Sequence, residues 1–276
     1  MIRARASGFT VVEIMIVLAV TGLLFLSAVA LISGKTDQTE FDQAARAIQQ
    51  QIQDSVSEVA AGQYASLNNF SCTVSGGSLT ISPVSSPQGK NEKCAFLGKV
   101  MQFAVHNTHP EQFLVYPIAG IKEDAIGQQV AGLASLDPTV VALSSSTGML
   151  EYGLHAAGMI YENNGSSPVH IGAVGFIYSL PSYDSSSGIA SGTSQVDLYP
   201  IVNSALHQSK VAGESKINAY LENQASQPTP NPSGGVTICF RSGTTNQYAI
   251  ITIGTNGNGT NNQLDVNLTI SDTSPC

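Results

Sequence analysis

The longest apolar run of the chain lies near its N-terminus, between Phe9 and Ser33. Within this run the only charged side chain is that of Glu13, and the next charge along the chain is Lys35. About 20 consecutive apolar residues suffice for a helix to cross a bilayer, so the run predicts a membrane-spanning helix. A carboxylate at the bilayer centre costs about 2.5–3.5 kcal/mol, which marks Glu13 as a candidate functional residue.

A second helical pattern follows the apolar run. Its apolar residues recur every three or four positions, the spacing of one helix face, and they are Phe41, Ala45, Ile48, Ile52, Val56 and Val59. The opposite, polar face carries Asp42, Gln43, Arg46, Gln49, Gln50, Gln53 and Asp54. With Gly62 as a helix stop, we predict one helix from Phe9 to about Ala61, roughly 80 Å long at 1.5 Å per residue. Its second half suits packing against a globular head.

Beyond Gly62 the pattern changes to short apolar runs separated by Ser, Gly, Pro and Asn, which is typical of strands and turns. The predicted strands are 72–74, 79–81, 95–105, 112–118, 140–143, 149–154, 169–180, 236–240, 248–253 and 264–270. Short helices are predicted at 124–134 and 210–223, and loops at 182–194 and 227–235. The last three strands read as an antiparallel meander.

The composition points to the cell exterior. Only 11% of the residues are charged, against roughly 25% in ordinary soluble domains, and Ser, Thr, Asn, Gln and Gly take their place. The formal net charge is −8. Because cytoplasmic flanks of membrane spans collect basic residues, Arg3 and Arg5 place the N-terminus inside and the head outside.

The four cysteines fit an oxidising compartment. They are Cys72, Cys94, Cys239 and Cys276, and they allow three disulfide pairings. Proximity along the chain favours Cys72 with Cys94 and Cys239 with Cys276. A zinc site is the competing interpretation, but the chain has no CxxC motif and no histidine pair near its cysteines.

The chain carries no recognisable catalytic motif, since GxSxG, HExxH and P-loop patterns are all missing. We therefore predict neither an enzyme nor a cofactor. The glycine-rich stretch 254–259 opens no helix and reads as a hairpin turn. His106 and His109 read as solvated loop residues, so no metal site is predicted. The basic residues beyond Arg5 are too dispersed to predict nucleic-acid binding.

The N-terminal residues also carry a family resemblance. A basic leader ends at Gly8, Phe9 follows, Glu13 stands four residues later, and a long apolar helix comes next. This pattern resembles the N-terminus of type IV prepilins and pseudopilins. At the other end, the start of the meander at 238–243, the strand end at 251–254 and the terminal cysteine are similar to the GspH/FimT-type minor pilins and pseudopilins.

The resemblance implies roles for three residues. A prepilin peptidase would cleave between Gly8 and Phe9, and the new amine of Phe9 would be N-methylated. Glu13 would then pair with the N-terminal amine of a neighbouring subunit. The implied segments are a cytoplasmic leader at 1–8, a long helix at 9–62, whose part 9–33 spans the membrane or forms the filament core, and an extracytoplasmic head at 63–276.

The resulting expectation is an α+β, pilin-like fold, in which a long N-terminal helix packs against an antiparallel β-sheet head with insertions. The expected function is a structural subunit, a minor pilin, of a type IV pilus or pilus-like filament. Its partners would be other pilin subunits, the prepilin peptidase, the inner-membrane assembly platform and, before assembly, the membrane. It would be a single-pass membrane protein that later joins a cell-surface or periplasmic filament.

Two alternatives remain open at this point. One is a pseudopilin of a type II secretion system, which shares the N-terminal pattern. The other is an adhesin or ligand-binding module held on a membrane stalk, for which the apolar helix would be only an anchor. A cleavable secretory signal peptide is a weaker fit, because such signals have a shorter apolar core and a small-residue cleavage site after it. Ala28 and Ala30 are the residues that mimic such a site.

Overall fold

The structure is a computed structural model. It describes residues 9–62, 71–75, 78–82, 94–103, 109–121, 133–162, 167–179, 182–184, 189–191, 195–202, 210–223, 230–255, 264–273 and 276. The two α-helices are α1 (Val11–Ala60) and α2 (Lys210–Glu222). The strands are β1 (Ser71–Ser75), β2 (Ser78–Ser82), β3 (Cys94–Phe103), β4 (Gln112–Ile121), β5 (Thr139–Val140), β6 (Ser146–Met149), β7 (Leu154–Tyr161), β8 (Val169–His170), β9 (Ala173–Ser179), β10 (Ser182–Asp184), β11 (Ile189–Ser191), β12 (Gln195–Ile201), β13 (Val236–Ser242), β14 (Tyr248–Thr255) and β15 (Leu264–Ser271).

Helix α1 confirms the two helical patterns of the sequence as one element. It runs for 50 residues, about 75 Å at 1.5 Å per residue. It begins two residues later than Phe9, because Thr10 takes the extended backbone of a helix N-cap. It ends at Ala60, after which Gly62 adopts a positive φ of 61° that an L side chain rarely tolerates.

Two antiparallel sheets form most of the head. The larger has six strands in the order β12-β9-β3-β4-β5, with β6 also pairing with β4. The smaller has five strands in the order β15-β14-β13-β7-β8. Two separate hairpins, β1-β2 and β10-β11, complete the described strands. The α+β expectation is therefore confirmed.

The second half of α1 packs against both sheets and closes the main core. The apolar stripe predicted from Phe41 to Val59 lies against inner-face residues of the two sheets. Every residue of this stripe except the half-buried Val56 is fully buried. At the centre, the ring of Phe103 meets those of Phe113 and Phe240 at centroid distances of 5.6 and 5.3 Å. A second apolar cluster covers the opposite face of the six-stranded sheet and includes Ile217, Tyr220 and Leu221 of α2.

Polar contacts also fix the helix to the head. The side-chain amides of Gln49 and Gln53 donate to the carbonyl of Val266 on the terminal strand β15, at 2.9 and 3.4 Å. In the last turns of α1, Glu58 forms a salt bridge with Lys99 of β3, whose side chain is only 10% exposed. These contacts hold the helix at a defined position along the head.

The structure has both disulfides that chain proximity favours, Cys72–Cys94 and Cys239–Cys276. The first ties β1 to the start of β3. The second ties the C-terminal residue to β13 across a sequence separation of 37 residues. Cys276 lies so close to β7 that a Cβ at Gly158 would be 3.3 Å from the cysteine Cβ.

Several strand predictions are confirmed and others are wrong. The C-terminal meander, the hairpin at 71–82 and helix α2 form as predicted. The strand predicted at 149–154 is instead a connection between β6 and β7, because Tyr152 and Gly153 take φ values of 51° and 67° and turn the chain. The strand predicted at 140–143 stops after Val140, where a short 3-10 helix begins.

The strand predicted at 169–180 is two strands in different sheets. The amide of Ile171 bonds to Met159 of β7, whereas that of Gly172 bonds to Ile201 of β12, so the chain changes sheets between them. Within 182–194, predicted as a loop, β10 and β11 form a small hairpin. Of the helix predicted at 124–134, residues 124–132 lie outside the described residues.

Candidate functional site at the N-terminal helix

The first turn of α1 satisfies its own polar groups through a reciprocal pair of residues. The Thr10 hydroxyl accepts a hydrogen bond from the backbone N–H of Glu13 at 3.3 Å. In return, one Glu13 carboxylate oxygen accepts from both the backbone N–H and the hydroxyl of Thr10, each at 2.9 Å. This arrangement is a capping box, and it places a negative charge at the positive end of the helix dipole.

The capping role of Thr10 was missed by our interpretation of the sequence. The signal was present, since Thr followed three residues later by Glu before an apolar run is the sequence signature of a capping box. It follows that Glu13 has a local partner within its own chain. The free-energy cost of the Glu13 carboxylate in an apolar helix is therefore smaller than the sequence pattern indicates.

Phe9 directly precedes this capped turn and is 83% exposed. Its backbone lies outside the helix, which begins at Val11. Gly8 and the rest of the leader lie outside the described residues. Cleavage between Gly8 and Phe9, and methylation of Phe9, stay predictions.

The part of α1 that follows is long and apolar enough to cross a membrane. This candidate span, Val11–Val29, has 19 residues with a mean hydropathy of 2.4, and none of it is buried within the protein. Its Val, Ile, Leu, Met and Phe side chains are 45–74% exposed. Such a surface needs an apolar surrounding, because water-exposed apolar area on this scale is unfavourable.

The remaining polar side chains of the span are satisfied within the helix. The Thr21 hydroxyl donates to the carbonyl of Val17 at 2.7 Å, and the Ser27 hydroxyl donates to that of Leu24 at 2.9 Å. An unsatisfied polar group in hydrocarbon costs several kcal/mol, so these bonds lower the cost of placing the helix in lipid. The capping box lowers the cost for Glu13 in the same way, although its charge remains.

No other group of described residues forms a comparable site. Among the residues that the structure describes, no three His, Cys, Asp or Glu side chains are grouped so that they could hold a metal ion. The Nδ1 atom of His109 lies 3.1 Å from a Glu111 carboxylate oxygen. A hydrogen bond from the backbone N–H of Glu111, together with this His109 contact, holds the pKa of the Glu111 carboxyl below its usual value. His106 lies outside the described residues.

The chain was compared with protein-family models, with curated proteins and with solved structures, and none of these matches it.

Proposed function

We propose that this protein is a structural subunit, of the minor class, in a type IV pilus or pilus-like filament. The observation that carries the proposal is the division of α1. One continuous helix leaves none of its first 19 residues, a largely apolar stretch, buried, and it buries one face of its second half in the head. A helix of this kind suits a subunit that resides in a membrane and then moves, with its head attached, into a bundle of identical helices.

The residues of the first turn supply the proposed chemistry. Prepilin peptidase would cleave the bond between Gly8 and Phe9, and the new N-terminus would carry a methylated ammonium group. Glu13 would pair with this group on a neighbouring subunit. A carboxylate and an ammonium group excluded from water stabilise the contact only when both are present, since removing one leaves the other uncompensated at a cost of about 3–5 kcal/mol. The pair would therefore set the axial register of the subunits.

The capping box supports a second candidate function from another class. Because Thr10 already satisfies Glu13 within the chain, the carboxylate does not require a neighbouring subunit. A binding module that uses α1 only as a membrane stalk would then have the same N-terminal structure. A filament subunit would need the charge of Glu13 for its assembly, whereas a stalked module would need only the hydrogen bonds of Glu13.

A comparison of two substitutions separates these functions. Glu13→Gln keeps a side-chain acceptor for the Thr10 N–H, because Gln also completes a capping box, but it removes the charge. Glu13→Ala removes both. In a filament subunit, both variants should insert into the membrane and both should be lost from sheared filaments. In a stalked module, the wild type itself should be missing from sheared filaments, and that result would refute the filament proposal. Recovery of Glu13→Gln in filaments at the wild-type level would instead refute the role of the Glu13 charge.

Mass spectrometry of the native protein tests the processing step independently. The proposed result is an N-terminal peptide that starts at methylated Phe9. An intact leader, or a new N-terminus after Ala28 or Ala30, would contradict it. Deletion of the gene then distinguishes a pilus subunit, whose loss affects surface fibres, from a type II secretion pseudopilin, whose loss blocks export of secreted enzymes.

A further inference from the structure

Helix α2 lies on the outer face of the six-stranded sheet, the face opposite the one that packs against α1. Its side chains reach the strands at both ends of that sheet. The side-chain oxygen of Asn218 accepts from the backbone N–H of Val140 on β5 at 2.7 Å, and the hydroxyl of Tyr220 donates to the carbonyl of Pro200 on β12. Because β12 and β5 are the first and last strands of the order β12-β9-β3-β4-β5, α2 bonds to both of its ends.

The apolar attachment of α2 is small for a helix that covers a sheet. Three of its side chains are buried in the second apolar cluster, those of Ile217, Tyr220 and Leu221. Helix α2 has 13 residues, and an isolated helix of about this length is only marginally stable in water. If α2 leaves the sheet, we therefore expect it to lose its own helical hydrogen bonds as well.

A buried polar pair lies beneath the first turns of α2. Gln102 of β3 and Tyr116 of β4 are both 0% exposed, and the Tyr116 hydroxyl donates to the side-chain oxygen of Gln102 at 2.9 Å. A Cβ added at Gly213 of α2 would lie 2.6 Å from this Gln102 oxygen and 2.9 Å from the Tyr116 oxygen. The backbone of α2 at Gly213 therefore lies directly on the pair and helps to keep water from it.

The amide of Gln102 is only partly satisfied beneath the helix. Its Nε2 atom is buried and has no hydrogen-bond partner among the described residues. A buried donor without an acceptor is destabilising, because burial has removed its hydrogen bonds to water and nothing replaces them. Departure of α2 would return this donor to water, so the residue that α2 covers itself favours the uncovered state.

We propose that α2 is a cover that detaches from the six-stranded sheet and returns to it while the rest of the head stays folded, and that Gln102 sets how often it detaches. Segments with few buried apolar contacts open at a lower free energy than the whole protein unfolds. The bonds of Asn218 and Tyr220 and the three buried side chains favour the closed state, whereas the unpartnered amide favours the open one. This device does not depend on assembly into a filament.

The test is hydrogen exchange on the full chain in detergent micelles, read by mass spectrometry of peptides from α2, β3 and β4. In the wild type, the protection factors of the α2 amides should be at least about tenfold lower than those of β3 and β4. The double variant Gln102→Met with Tyr116→Phe replaces the polar pair by apolar side chains of similar size, so it removes the unpartnered donor and creates no new one. Its α2 amides should be about tenfold better protected than in the wild type, with β3 and β4 unchanged.

Two further variants complete the test. Gln247→Met with Tyr248→Phe makes the same two changes at half-buried positions of the other sheet, at the start of β14, and should leave α2 unchanged. Tyr220→Phe acts in the opposite direction, because it removes the hydrogen bond to Pro200. It should lower the protection of α2 about fivefold, with β3 and β4 unchanged.

Two results would overturn the proposal. Equal protection of α2, β3 and β4 in the wild type would mean that the helix and the sheet open only together. An unchanged or lower protection of α2 in the double variant, with β3 and β4 unchanged, would mean that Gln102 does not favour the open state. If the double variant also lowers the protection of β3 and β4, Tyr220→Phe decides. A loss of protection confined to α2 then supports the cover, and any other result overturns it.

Discussion

The salt bridge between Glu58 and Lys99 is the contact whose loss should most clearly weaken the attachment of the helix to the head. Lys99 is the buried partner, with a side chain only 10% exposed, whereas that of Glu58 is 41% exposed. Glu58→Gln removes the charge that compensates the buried ammonium group and keeps the size of the side chain. The expected result is a protein that folds but has a lower free energy of unfolding.

The magnitude follows from the unequal exposure of the two partners. Breaking a fully buried pair costs about 3–5 kcal/mol, and a fully exposed pair contributes about 0–1 kcal/mol. Because water reaches Glu58 and can partly solvate the freed ammonium group, we expect a loss of about 1–3 kcal/mol. Asp54→Asn, an exposed carboxylate on the same helix, should change stability by less than about 0.5 kcal/mol.

Urea unfolding in non-ionic detergent, followed by near-ultraviolet circular dichroism of the tyrosines, measures these changes. Lys99→Met provides the decisive comparison, because a buried pair can often be replaced by an apolar side chain at little cost. The double variant Glu58→Gln with Lys99→Met should recover most of the stability lost by Glu58→Gln alone. Equal stability of Glu58→Gln and the wild type, or no recovery in the double variant, would refute the reasoning.

Further predictions concern the same unfolding assay. Gly98→Ala should destabilise the head by about 1–3 kcal/mol, because its Cβ would lie 2.0 Å from the Phe176 carbonyl oxygen. Gly22→Ala is its control, because nothing lies within 4 Å of the added methyl group. The helix should gain up to about 1 kcal/mol of stability. A loss of stability in this variant would contradict the continuous helix. Replacing Cys239 and Cys276 together by serine should cost about 2–4 kcal/mol, because their bond closes a long loop. A reducing agent should lower the stability of the wild type by at least as much, because it also breaks Cys72–Cys94, but it should leave the loss due to Gly98→Ala in place.

The features that were predictable from sequence are those that depend on local periodicity. The stripe from Phe41 to Val59 has the spacing of a helix face, and its burial follows from that spacing alone. The C-terminal meander was equally visible, because its strands pair in chain order. Proximity also favoured the disulfide pairings found in the structure.

The features that were missed depend on contacts between distant segments. In the order β12-β9-β3-β4, the pairing of β9 with β3 joins strands that are far apart in the chain, and no local pattern specifies it. The wrong strand prediction at 149–154 has a local cause. Tyr152 takes a positive φ, and a tyrosine in the sequence gives no reason to expect one. Asn231 reads as one polar residue in a proline-rich loop, and only the fold brings it to Leu198.

Glu13 links the structure most directly to the proposed function, and the capping box changes what its pairing can contribute. If the carboxylate had no partner in the isolated chain, any neighbouring ammonium group would stabilise assembly by the full energy of the new contact. Because Thr10 already donates two hydrogen bonds to one oxygen, a neighbouring amine stabilises assembly by less than it would with an unpartnered carboxylate. A carboxylate has a second oxygen with free acceptor sites, so both partners can bind together. The charge of Glu13, rather than its hydrogen bonds, would then select the correct register, and Glu13→Gln removes that charge alone.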